Sequence, residues 1–176
     1  MLSQNIHRRN DVAGPFLQAI HQVIARYELF SETFSGAKVS NYEELLQHED
    51  CFYKRTELLP HSDENEEVQE TFFGAKRKPI FTSVNAKNHL ITLSEVMAMY
   101  FMVWSETCWQ DIHFDSSKMP ESERQNFEQE QQSLLQFIQT LPQIRRALAH
   151  IPVYMMFDDH DVTDDWNLTR EWEELA

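Results

Sequence analysis

The chain has 176 residues, of which 41% are apolar and 12% aromatic, and a formal net charge of −14. That is one domain's length of core-forming chain, able to bury roughly two-thirds of the surface its unfolded form exposes. So acidic a surface disfavours nucleic acid and anionic membranes, and three scattered glycines (Gly14, Gly36 and Gly74) exclude a glycine-rich phosphate loop.

Two distant cysteines, Cys51 and Cys108, form neither a Cys-x-x-Cys motif nor a disulfide framework and fit a reducing compartment. The start, Met1 to Arg9, has no apolar stretch of the signal-peptide kind, and no segment reaches the ~20 apolar residues of a membrane helix. The expectation is a cytoplasmic chain that binds neither membrane nor nucleic acid.

Asp11 to Leu29 reads as a helix: Pro15 suits a first turn, and Phe16, Ile20, Val23, Ile24 and Tyr27 share one face. Asn41 can cap a short helix, with Glu44 three residues on and Leu45 and Leu46 turned inward. His61 to Glu70 reads as a polar loop leading to a helix that ends at Phe72-Phe73-Gly74. Lys78 to Val84, with Pro79, is a short strand or an extended crossing. Thr92-Leu93-Ser94-Glu95 is a capping box, and the almost continuous apolar run Val96 to Trp104 predicts a helix buried on most faces, with Met97, Met99 and Met102 as core filler. Glu121 to Thr140 predicts a helix whose buried end is Leu134, Leu135, Phe137 and Ile138. Pro142 then opens a short helix to about Ala149.

Pro152 forces an extended chain, and Val153 to Phe157 is a five-residue apolar run, the best strand candidate and of the buried, parallel-sheet kind. A further helix begins at Thr169 to Leu175. The helices look complete while the sheet they would cover does not. The expectation is therefore an α/β portion of a larger protein, mostly helical over about 11–149, with a buried strand at about 152–157 inside a strand-and-turn region 151–167. The alternative is an all-helical domain with the run buried as an extended segment.

Asp158-Asp159-His160-Asp161 directly follows the predicted strand, where α/β proteins place their ligands. Carboxylates with a neutral imidazole suit a hard or borderline cation, which would offset their mutual repulsion. Other motifs fail. An EF-hand starting at Asp159 needs Gly and Glu where Asp164 and Arg170 stand, and there is neither a His-Glu-x-x-His helix nor a Gly-x-Ser-x-Gly elbow. The plain reading is a helix N-terminus carrying acids, which a helix dipole favours.

The segment "IPVYMMFDDHDVTDDWNL" resembles the signature of the PhoD-like alkaline phosphatases, a branch of the calcineurin-like metallophosphatases. "DVAGPFLQAIHQVI", "FFGAKRKPIFTSVNAKNHLITLSEVMAMYFMVW" and, loosely, "CFYKRTELLP" resemble the same branch, so that the likeness runs from Asp11 to about Trp172. The resemblance implies a metallophosphatase α/β/β/α sandwich with a two-metal centre of divalent or trivalent ions (iron, calcium, zinc or manganese) that hydrolyses phosphate esters. It implies Asp159 as a metal ligand, His160 at the transition state or the leaving oxygen, and Asp158 as a ligand or an orienting group. Asp161, Asp164 and Asp165 would have secondary places.

The family's Gly-Asp-x-x-Tyr-Ala-Asp-Asp-Val-Ala-Gly block survives only as Asp11-Val12-Ala13-Gly14. Asn5 stands at its ligand position and Arg8 at its Tyr. The later His-x-His block is not found. The expectation is a single incomplete domain over 1–176, inactive in isolation or completed by a separately encoded C-terminal half. The competing reading is a non-catalytic helical binding protein with at most a structural cation site.

Overall fold

The computed structural model describes residues 12–29, 38–58, 88–154 and 156. Of these, 67% are helical and none lies in a strand. They fall into two compact units, one of 12–29 with 92–156 and one of 38–58 with 88–91.

The larger unit is built on α1 (Gly14–Tyr27), α3 (Leu93–Trp104) and α4 (Glu121–Ala149). Helix α1 packs on both α3 and α4; Ile20, Val23 and Ile24 are buried along it as the spacing predicts, but the buried face also takes in Leu17, while Phe16 is half-buried and Tyr27 is exposed. Ala13 cannot cap α1 with a side chain, so a distant acid serves: the Gly14 amide donates to Glu130 Oε2 on α4 at 3.1 Å. The other end closes at Glu28, which takes a left-handed conformation (φ 49°), while its amide donates to the Ile24 carbonyl.

Trp109, in a 3-10 turn at Glu106–Trp109, joins all three helices. It stacks on Phe16 of α1 at 5.6 Å, meets Phe137 of α4 edge-on at 6.3 Å, and donates through Nε1 to the Met102 carbonyl of α3 at 2.8 Å. The chain after it, 110–115, is held by a ladder of α1 side chains. Gln18 accepts from the Asp115 amide (2.7 Å) and donates to its carbonyl (3.1 Å), and Gln22 does the same with His113 (3.0 and 2.8 Å). Arg26 donates to the Gln110 carbonyl at 2.6 Å. The i, i+4, i+8 spacing of these three residues places them on one helical stripe. An irregular segment thus finds its hydrogen bonds on a helix rather than on a neighbouring strand.

The smaller unit contains α2 (Tyr42–Gln47), capped by the Asn41 side chain on the Glu44 amide at 2.9 Å. Val39, Leu45, Cys51 and Leu58 form its buried core, with Tyr42, Phe52 and Ile91 packed against it. Leu46, expected to turn inward, is exposed.

Three larger expectations are overturned. Val153, Tyr154 and Met156 are 47%, 95% and 92% exposed, and no strand forms at 151–154. The α/β assignment resting on a buried strand at about 152–157 fails over the described part of that run, and so does its burial as an extended segment. An apolar run becomes a buried strand only where neighbours cover both its faces, and the described residues of this one are exposed. Second, Pro142 does not begin a new helix: α4 runs unbroken from Glu121 to Ala149 through it. Its buried residues are Phe127 and Leu141, while Leu135 is exposed. Third, α3 is buried on one side only. Ser94, Glu95, Ala98 and Met102 face inward, and Leu93, Met97, Phe101 and Trp104 are exposed. Met97 therefore does not fill the core, whereas Met102 does. The segments 61–74, 78–84 and 169–175 lie outside the described residues.

Candidate functional site

The residues singled out by the acidic motif, Asp158, Asp159, His160, Asp161, Asp164 and Asp165, lie outside the described residues, as do Asn5 and Asp11. Among the described residues, no group of three His, Cys, Asp or Glu side chains stands together so as to hold a metal ion.

The structure does bring together polar groups that the sequence reading passed over. The foremost is His21 on α1 with Glu95 on α3, His21 Nε2 to Glu95 Oε1 at 3.0 Å, the side chains 9% and 0% exposed. Glu95 is positioned by the capping box. Its amide donates to Thr92 Oγ1 at 3.0 Å, and its Oε2 accepts from the Thr92 amide at 3.3 Å. The same carboxylate therefore caps α3 with one oxygen and orients an imidazole with the other. Beside it in the chain, Ser94 Oγ is buried without a hydrogen-bond partner. Chemically, the pair can fix the ring of His21 and hold a proton between ring and carboxylate. The sequence did carry a signal: His21 interrupts the apolar stripe of Leu17, Ile20 and Ile24, and a buried histidine requires a polar partner.

In the smaller unit Arg55 is fully buried. Its Nε donates to the His89 carbonyl at 2.8 Å and its Nη1 to the Cys51 carbonyl at 3.1 Å, tying the turn after α2 to the chain before α3. A buried guanidinium that donates to two carbonyls far apart in sequence is an organising element of the turn. At the surface, Asp115 accepts from both the hydroxyl (2.5 Å) and the amide (3.0 Å) of Ser117. These bonds hold its carboxyl below the ordinary aspartate value, the hydroxyl contributing most and the amide next, against some opposition from desolvation, with Lys118 adding the smallest attraction.

Comparison with family models, with curated proteins and with solved structures finds no match for this chain. No described helix is long and apolar enough to cross a membrane.

Proposed function

We propose that the chain serves metal-dependent hydrolysis of phosphoric esters, with Asp159 and Asp158 among the metal-binding groups and His160 acting at the leaving oxygen. One observation carries the reading: Asp-Asp-His-Asp followed by Asp-Asp-Trp directly after an apolar run, over Val153 to Trp166, the pattern that resembles the PhoD-like phosphatase signature. The donor set supports it, since carboxylates and an imidazole suit divalent or trivalent cations. Bound ions would supply the charge that polarises a phosphoryl group. His160 holds or delivers a proton, while Asp161, Asp164 and Asp165 add negative charge around the cation. At the N-terminal block, Asn5 stands where a carboxylate ligand is required and Arg8 brings a positive charge. The chain alone therefore binds metal more readily than it turns over substrate.

Calorimetric titration with Mn2+, Zn2+ and Ca2+, run beside hydrolysis of p-nitrophenyl phosphate, tests this. The expected outcome is saturable binding of at least one of the three ions, abolished in Asp159→Ala/His160→Ala, with turnover near background. No binding of any of the three sinks the reading. Robust turnover that His160→Ala removes keeps the reading and overturns the inactivity of the lone chain.

A second reading, a non-catalytic helical interaction protein, is favoured by the exposed, uncharged stripe of α3 at Leu93, Met97, Phe101 and Trp104. It becomes the better account if no metal binds.

A further inference from the structure

We draw no further inference here: the strongest candidate, the exposed apolar stripe of α3 at Leu93, Met97, Phe101 and Trp104, carries none, because nothing in the structure shows what covers it.

Discussion

Glu95 has two oxygens with different partners, His21 across the helix interface and the Thr92 amide at the start of α3. Removing the imidazole deletes this bond from a buried carboxylate, and loss of a partner by a buried hydrogen-bonded group costs about 1–3 kcal/mol. His21→Ala should therefore destabilise the protein by roughly that amount, read as a lower urea midpoint at unchanged slope. A midpoint that does not move would mean that the pair is replaced by water at little cost. Asp115 is the other residue whose surroundings make a definite prediction. Its folded-state pKa lies below the unfolded one, because Ser117 donates to the charged carboxylate. Its stabilising contribution is thus present above the unfolded pKa and is lost as pH falls through the folded value. Ser117→Ala removes the hydroxyl, the larger of the two donors, and should move the Asp115 titration upward toward the ordinary aspartate value when followed by carboxyl NMR. An unmoved titration would assign the shift to the backbone amide instead.

At the scale of the element, proline in the interior of α4 is the feature least expected from the sequence. Pro142 has no amide hydrogen to give to the Ile138 carbonyl, and its ring crowds that carbonyl, so an interior proline costs about 3 kcal/mol. The helix continues nonetheless, with Leu141 buried beside the proline. Pro142→Ala should raise stability by up to about 3 kcal/mol, seen as a higher melting temperature. A lower melting temperature would show that the proline's own packing outweighs the bond it forgoes.

What was legible in the sequence follows from how local each signal is. Asn41 and the Thr92–Glu95 box were readable because a cap is a contact between residues three apart, and both form as expected. The centre of the inner face of α1, Ile20, Val23 and Ile24, was readable from its spacing, while Leu17 was missed and Tyr27 turns out exposed. The role of Trp109 was not, since its partners Phe16 and Phe137 lie far off along the chain. Nor was the one-sided burial of α3, because periodicity shows that a face is apolar without showing that anything covers it. The same limit produced the strand at 152–157: five apolar residues in a row do not specify a neighbour. The Asp-Asp-His-Asp motif was legible only as chemistry that would suit a cation, and Asp158 to Asp165 lie outside the described residues.

At the scale of the whole molecule, the described residues of each unit include a buried core, yet in the larger one the outer side of α3 is exposed, Leu93, Met97, Phe101 and Trp104 being 59%, 36%, 47% and 38% exposed. Together they form a continuous stripe at helical spacing rather than scattered apolar residues. Met97→Lys/Phe101→Lys should sharply reduce the binding of a hydrophobic fluorescent dye while leaving the far-ultraviolet circular dichroism unchanged. Undiminished dye binding would place the dye's site elsewhere.

Helix α1 meets its partners late in the life of the chain. It ends at Tyr27, α3 begins only at Leu93, and α4 ends at Ala149. From residue 27 to residue 93 the ribosome adds 66 amino acids, which at about 5–20 residues per second takes roughly 3–13 s. Throughout that interval Leu17, Ile20, Val23 and Ile24 are synthesised without the helices that will bury them. The newborn chain thus carries the apolar face of α1 before either packing partner exists, and that face's contacts with them must wait until α3 and α4 have left the exit tunnel.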